Sequence, residues 1–298
     1  DKTSVTIGQF DTQFTPTIHK STRPTGYRYN SSEPIKISLN ELSEREQFLL
    51  MESKTFCIYP WIHLHAYPTG EAHPCCHSVM SLGQAGNCRD NTLKEIWNSD
   101  KMKKMRVNML NEIPSAACTG CYEQEKSGFF NGRKSANKHH GHHIGRVNNT
   151  QEDGHLEQFE MTYWDIRFSN LCNLKCRTCG PDLSSSWFED QVKLFPNEQR
   201  TKFIDLKSNI NFMDDLMPHL DTIEEVYFAG GEALITPEHY KILDHWLENN
   251  HTDVRITYTT NFSVFKYKDK NVLDYWNKFK NIELFASIDA SGPLAEYM

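Results

Sequence analysis

Cysteine spacing constrains what this chain can fold around more than any other feature of its sequence. The chain has nine cysteines, an odd number. The group in the second half consists of Cys172, Cys176 and Cys179. The group in the first half consists of Cys57, Cys75, Cys76, Cys88, Cys118 and Cys121. Close spacing in a chain without a secretory signal favours metal ligation over disulfide bonds. The two groups therefore predict two metal sites.

Charge and hydropathy argue against several classes of partner. The formal net charge is -7, and the Lys and Arg residues are scattered, so no basic stripe is present for nucleic acid or an anionic membrane. No apolar run approaches the roughly 20 residues that cross a bilayer. Residues 1–8 also lack the charged and then apolar profile of a secretory signal. We predict a cytoplasmic protein that binds neither nucleic acid nor membrane.

Composition divides the chain into four regions. With 298 residues, 38% of them hydrophobic, the chain is long enough for about two globular domains. The predicted regions are an N-terminal arm at 1–50, a small α+β domain at 51–137, a His-rich linker at 138–158 and an α/β domain at 159–298. The four histidines at 139, 140, 142 and 143 offer a metal site as one interpretation, but a solvated linker is favoured.

A hairpin is predicted near the start of the α+β domain. Apolar residues alternate from Ile62 to Ala66, and Gly70 follows before a second short extended stretch. This pattern is typical of two strands joined by a tight turn. The hairpin would bring Cys57 and Cys75 close together.

The second half alternates strands with helices. Extended runs are predicted at Tyr163–Ser169, Glu224–Phe228, Val254–Thr259 and Ile282–Ile288, with helical spacing between them, as in residues 240–247. Such alternation predicts an α/β fold with a parallel sheet. Ligands of parallel sheets gather at the carboxyl ends of the strands, so residues at those ends are the candidates for a site.

The loop after the first of these strands carries the second cysteine group. Three thiolates at Cys172, Cys176 and Cys179 can ligate three irons of a cubane, which leaves one iron open to a substrate atom. A zinc knuckle or three buried thiols are the alternatives that the residues leave open.

Polar residues follow the other three strands. Gly230 and Gly231 allow a ligand to approach the backbone, and the adjacent Glu232 carboxylate can receive an ammonium group. Asn261 follows the third strand. Ser287 and Asp289 lie two residues apart on one face of the fourth, where a carboxylate can bind a ribose hydroxyl pair. Taken singly, each of these features is also typical of an ordinary turn.

Together the four strand ends resemble the radical S-adenosylmethionine superfamily, whose CxxxCxxC loop follows the first strand of a partial (β/α)6 barrel. The resemblance implies a 4Fe-4S cluster on the three cysteines. It implies that Gly230, Gly231 and Glu232 hold the amino group of S-adenosylmethionine, that Ser287 and Asp289 face its ribose, and that Asn261 has a less defined role. It also implies a barrel of which this sequence contains four β/α units. Thr178 departs from the family, which usually has an aromatic residue there.

The first half is similar to the auxiliary-cluster modules called SPASM and twitch domains. The similarity lies in Cys57, Gly70 and Cys75, followed by Cys118 and Cys121 in a CxxC pair. It implies a second, auxiliary 4Fe-4S cluster on these four cysteines, in a domain that precedes the barrel. From the residues alone, zinc fits four thiolates nearly as well.

Two further cysteines in this half have weaker assignments. Cys76 is an alternative ligand to Cys75, and Cys88 is interpreted as an incidental thiol.

The two resemblances imply a radical S-adenosylmethionine enzyme. In that family a reduced cluster cleaves S-adenosylmethionine to methionine and a 5′-deoxyadenosyl radical, which takes hydrogen from a substrate; an external electron donor is needed. The substrate is unknown, with a peptide or protein preferred, and no catalytic residue is identified beyond the cluster. The alternatives are a non-catalytic zinc or iron-sulfur interaction protein, and a thiol oxidoreductase using Cys118 and Cys121.

Overall fold

The structure is a computed structural model that describes residues 5–6, 41–206 and 211–294. Most of the predicted N-terminal arm at 1–50 lies outside the described residues. The described chain forms two compact units. The sheet unit comprises the described residues within 1–22, 66–70 and 165–298, and the cysteine unit comprises those within 23–65 and 71–164.

Strands and helices are short throughout the described chain. The strands are β1 (Val5–Thr6), β2 (His63–Ala66), β3 (Glu71–His73), β4 (Gly86–Asn87), β5 (Tyr163–Ile166), β6 (Glu225–Phe228), β7 (Arg255–Thr260), β8 (Lys266–Tyr267), β9 (Lys270–Asn271) and β10 (Asn281–Ala286). The α-helices are α1 (Glu44–Met51), α2 (Met80–Gly83), α3 (Leu93–Trp97), α4 (Asp100–Leu110), α5 (Thr119–Lys126), α6 (Gly132–His140), α7 (Phe188–Leu194), α8 (Phe212–Leu216), α9 (Pro237–Glu248) and α10 (Val272–Trp276). None of these helices is long and apolar enough to cross a bilayer.

The sheet unit is built on a parallel sheet. Its strand order is β1, β10, β7, β6, β5, and the pairs β1–β10, β10–β7 and β7–β6 are parallel. Phe228 of β6 lies opposite Tyr258, and Ala286 of β10 lies opposite Thr260, so the strands end at one edge. This confirms the predicted α/β class. The predicted strands are confirmed in place, although β5 ends at Ile166 rather than Ser169 and β10 ends at Ala286 rather than Ile288.

Apolar side chains on one face of this sheet pack beneath α9. Phe228 and Tyr258 lie with ring centroids 5.3 Å apart, and both are buried. Tyr240, Leu243 and Trp246 of α9 are buried at helical spacing, which confirms the helix predicted there. Most residues of β6 and β7 are buried, as is typical of parallel strands covered on both faces, and polar residues follow at the strand ends.

The cysteine unit begins with a capped helix. Ser43 caps α1 in a reciprocal arrangement with Glu46. In the segment 66–70, which belongs to the sheet unit, Gly70 follows β2 at φ +90°, and its N–H donates to the Tyr67 carbonyl oxygen at 2.9 Å. That positive φ favours glycine at the predicted turn. β3 then pairs with β4 in antiparallel register.

Residues 132–149 differ from the predicted solvated linker. They form α6 and a 3₁₀ helix, Gly141–Asn149. His140 is buried, and its ring stacks on Tyr163 at 5.2 Å. Asn137 explains why a polar sequence packs inside, because its side chain bonds to the Ile58 N–H at 2.9 Å and the Phe56 carbonyl oxygen at 3.1 Å. Buried polar groups with partners of this kind are not visible in composition.

A buried guanidinium joins three segments of the cysteine unit. Arg106 of α4 has no exposed surface. It donates to the carbonyl oxygens of Pro60 at 2.9 Å, Trp97 at 2.8 Å and Gly154 at 3.1 Å. Burial lowers its pKa to about 9. Because three backbone carbonyls depend on one side chain, the position is sensitive to substitution.

We expect Arg106→Met to lower the free energy of unfolding by about 3 kcal/mol, since the carbonyl oxygens of Pro60, Trp97 and Gly154 lose their donor. Lys104→Met is the matched control, because Lys104 lies on the exposed side of the same helix. It should change stability by less than about 0.5 kcal/mol. Urea denaturation measures both, and equal midpoints for the two variants would contradict the assignment.

Candidate metal centres

The loop that carries Cys172, Cys176 and Cys179 follows β5 in the sheet unit. The Cys179 N–H donates to the Cys176 carbonyl oxygen at 3.0 Å, which closes a tight turn between these two residues. Burial raises the pKa of Cys176 and Cys179, and neighbouring thiols of the trio act in the same direction. All three thiols are partly exposed. The structure therefore brings the trio together on one loop.

A run of serines holds this loop in shape. The Ser186 hydroxyl donates to the Cys172 carbonyl oxygen at 2.8 Å, and the Ser184 hydroxyl donates to the Leu174 carbonyl oxygen at 2.6 Å. The Trp187 indole N–H donates to the Cys176 carbonyl oxygen at 3.1 Å. Sequence reasoning missed these residues, although three consecutive serines before a helix are a typical capping signal.

Two glycines allow the chain after β6 to contact the start of the cysteine loop. Gly230 has φ +114°. A Cβ at Gly231 would lie 2.2 Å from the Leu171 carbonyl oxygen, so no side chain fits there. The Glu232 N–H donates to that same oxygen at 2.7 Å. The glycines thus allow the cysteine loop to approach this backbone closely, while the approach of a ligand stays a prediction.

Glu232 is buried and links two strand ends. One of its carboxylate oxygens accepts from the Asn261 N–H at 2.8 Å, and the Thr260 hydroxyl lies 2.9 Å from both oxygens. The Leu234 N–H donates to the other oxygen at 3.2 Å. Burial raises the pKa of this carboxyl. Glu232 therefore organises the end of β7, while its contact with an ammonium group stays a prediction.

Asn261 contacts the cysteine loop directly. Its side-chain amide donates to the Asn173 side-chain oxygen at 3.0 Å and to the Cys172 sulfur at 3.9 Å. Ser263 completes the arrangement, because its hydroxyl donates to the Asn261 side-chain oxygen at 2.6 Å. The resemblance implied a less defined role for Asn261, and the structure makes it a neighbour of the Cys172 sulfur.

The end of β10 also faces the loop. Asp289 accepts a hydrogen bond from the Thr178 hydroxyl at 3.4 Å, and its negative charge contributes to raising the pKa of Cys176 and Cys179. Ser287 is exposed, and its N–H donates to the Thr260 carbonyl oxygen at 2.8 Å. Thr178, which departs from the family pattern, thus has a partner on the fourth strand of the predicted barrel.

The cysteine unit contains a separate pocket lined by thiols. Cys57, Cys75, Cys118 and Cys121 all line it. Cys57 precedes a 3₁₀ helix, Cys75 follows β3, and the other two lie at the start of α5. Met105 and Met109 of α4 supply apolar walls. The four cysteines that the sequence grouped together therefore share one pocket.

These thiols repel one another's charged forms. Burial raises the pKa of all four, that of Cys118 to about 11. Interactions among the thiols raise the pKa values of Cys57, Cys75 and Cys118 further. Metal ions supply the positive charge that such a group needs in its thiolate form. Cys75 lines the pocket and Cys76 does not, which favours Cys75, and the choice of ligand between these two neighbours stays a prediction. Cys88 is buried elsewhere in the unit.

Comparison with known families bears on this pocket. Residues 57–122 match the SPASM family, an iron-sulfur cluster-binding domain. The SPASM domain spans all four pocket cysteines, and it is typical of proteins associated with radical S-adenosylmethionine chemistry. The predicted resemblance of the first half is thereby confirmed for these residues. No curated protein and no solved structure matches the chain.

Cys121→Ala should lower the iron and sulfide bound per chain after anaerobic reconstitution, because it removes one of four thiolates from the SPASM pocket. Cys88→Ala is the matched control, since it removes a buried thiol outside the pocket lining. Iron and sulfide assays on both variants decide the point. Equal contents in the two variants would mean that the pocket is not the binding site.

Proposed function

We propose that the chain is a radical S-adenosylmethionine enzyme with two 4Fe-4S clusters. Cys172, Cys176 and Cys179 would hold the cluster that binds S-adenosylmethionine, and the SPASM pocket would hold the auxiliary one. The first cluster would supply an electron to the sulfonium, giving methionine and a 5′-deoxyadenosyl radical that takes hydrogen from a substrate. The α/β unit would be the first four β/α units of a partial (β/α)6 barrel.

One observation carries this proposal: polar residues from separate strand ends converge on the three-cysteine loop. Asn261, after β7, bonds to the Cys172 sulfur, and Asp289, after β10, acts electrostatically on Cys176 and Cys179. A zinc knuckle requires only its four ligands, so zinc binding does not explain why these polar residues converge on the loop. A reactive site needs it, because a ligand at an open metal position must also be oriented.

The sheet unit has groups that could orient such a ligand. Gly230 and Gly231 would bind the amino group through main-chain atoms, because the space of a side chain at these positions is filled by Arg167 and Leu171. Ser287 and Asp289 present a hydroxyl and a carboxylate, which suit a ribose diol. Glu232 would act by fixing Thr260 and Asn261, and its buried carboxylate would add negative charge near the bound amino group.

Sulfur separations favour clusters over single zinc ions. In the part of the chain that the structure describes, no three cysteine sulfurs lie within 4.8 Å of one another. Four thiolates around one tetrahedral zinc, with Zn–S about 2.3 Å, lie about 3.8 Å apart. A cubane spreads its ligands over several irons and holds them farther apart. More widely spaced sulfurs are compatible with a cluster, and the SPASM match supports the iron-sulfur assignment for the first group.

The substrate class and the electron supply extend this proposal. We favour a peptide or protein substrate, because the SPASM resemblance includes enzymes that act on such chains. An external one-electron donor would reduce the first cluster. Nucleic acid and membrane are not expected partners, given the net charge of -7.

The test is anaerobic reconstitution with iron and sulfide, followed by incubation with S-adenosylmethionine and dithionite. The wild type should form 5′-deoxyadenosine, and Cys176→Ala should reduce its formation at least about 100-fold, because the cluster loses one of three ligands. Cys88→Ala, which alters a thiol outside both cysteine sites, should retain the activity. Zinc without iron or sulfide in the purified wild type, or 5′-deoxyadenosine formed equally by Cys176→Ala, would refute the proposal.

A further inference from the structure

The amino end of α6 lies against the SPASM pocket. Gly132 and Arg133, the first two residues of this helix, line the pocket, and their backbone N–H groups donate to the Cys121 sulfur. Asn131 fixes this end in place. Its side-chain amide donates to the Cys121 carbonyl oxygen at 3.0 Å, and its side-chain oxygen accepts from the Lys134 N–H at 3.1 Å. The positive end of the helix is therefore directed at a ligand sulfur.

A buried guanidinium adds a full charge beside the same sulfurs. Arg133 is 5% exposed and donates to the carbonyl oxygens of Ser53 at 3.1 Å and Phe56 at 2.7 Å. Arg133 lines the pocket together with the four thiols, and its bond to Phe56 holds it beside the residue that precedes Cys57. A buried positive charge at this position stabilises negative charge in the pocket. The pKa values of three of the four thiols agree, because the Arg133 charge opposes the rise that burial causes.

The counter-charge of Arg133 acts in the opposite direction. Glu125 accepts from the Arg133 Nε at 2.6 Å, and its side chain is 12% exposed. The Glu125 charge contributes to raising the pKa of Cys121, whereas the Arg133 charge contributes to lowering it. One ion pair therefore contains two groups with opposite electrostatic effects on one ligand.

We propose that the amino end of α6 and the Arg133 guanidinium are positioning groups that raise the reduction potential of the cluster in the SPASM pocket. This inference rests on the proposed function, which places a 4Fe-4S cluster there. One-electron reduction breaks no bond and adds one negative charge to the cluster. N–H donors to a ligand sulfur and a nearby cation stabilise that added charge. The pocket is thereby suited to a cluster that accepts an electron.

Potentiometric titration of the full chain tests the inference, with the reduced cluster followed by electron paramagnetic resonance. A Cys176→Ala background removes the signal of the other proposed cluster. Arg133→Gln should lower the ratio of reduced to oxidised cluster about tenfold at a fixed potential, which is about 59 mV for one electron. Glu125→Gln should raise the ratio, and Arg133→Lys should stay near the background value because it keeps the charge.

Lys138→Gln is the matched control, since Lys138 lies in the same helix, α6, and is exposed to solvent screening. It should leave the ratio unchanged. The inference is overturned if Arg133→Gln and Glu125→Gln change the ratio of reduced to oxidised cluster in the same direction, or if neither changes it. The cluster assignment still stands in both cases. A merely structural role would disturb both variants alike.

Two further outcomes also test the inference. If Arg133→Gln fails to hold a cluster, Glu125→Gln carries the test, and an unchanged or lowered ratio in that variant overturns the inference. If neither the wild type nor the Cys176→Ala background binds iron and sulfide, the proposed cluster itself is wrong, and the inference fails with it.

Discussion

Four thiols held in one poorly solvated pocket are the constraint on which the cysteine unit depends. Each thiol is hard to ionise there, and Cys57, Cys75 and Cys118 are made harder to ionise by the others. The group can carry thiolates only when positive charge is supplied, from bound metal or from the protein. Arg133 and the start of α6 supply part of that charge. The match to the SPASM iron-sulfur domain gives this electrostatic need a chemical interpretation.

The three thiols of the sheet unit also need their thiolate charge stabilised, but the groups around them are arranged differently. These thiols lie on a partly exposed loop, and the groups around them come from strand ends rather than from a helix. Asn261 offers an amide donor to one sulfur, while Asp289 brings a negative charge near the other two. Under the proposed function, this donor and carboxylate would orient a second molecule, whereas the SPASM pocket is lined by its four thiols. The two sites therefore differ in kind.

Much of this was predictable because it follows from short patterns. Short extended runs between helical segments predict strands such as β6 and β7, and their parallel register places Glu232 and Asn261 at one edge. The cysteine spacing predicts both thiol groups. The choice between Cys75 and Cys76 could not be made from adjacent residues, because only the path of the chain after β3 decides which thiol enters the pocket.

Other features depend on contacts between distant residues. Arg133 reads as a surface cation in a polar stretch, yet it is buried because Ser53 and Phe56 supply carbonyl oxygens about 80 residues away along the chain. The helix at 132–140 was missed for the same reason, since a polar composition conceals hydrogen bonds such as that from Ile58 to Asn137. The predicted carboxylate of Glu232 was correctly placed at a strand end, but its bonds to Thr260 and Asn261 needed coordinates.

The fit between Gly231 and Leu171 has a consequence for protein engineering. Main-chain atoms hold the cysteine loop against the end of β6, because the Leu171 carbonyl oxygen occupies the space that any Cβ at position 231 would need. A loop with different side chains but the same backbone path could therefore be grafted onto this sheet without redesigning the contact at Gly231. Conversely, an alanine at 231 would displace the whole graft, however well its cysteines were spaced. Transplanting such loops between scaffolds thus begins with the glycine and not with the sulfur ligands.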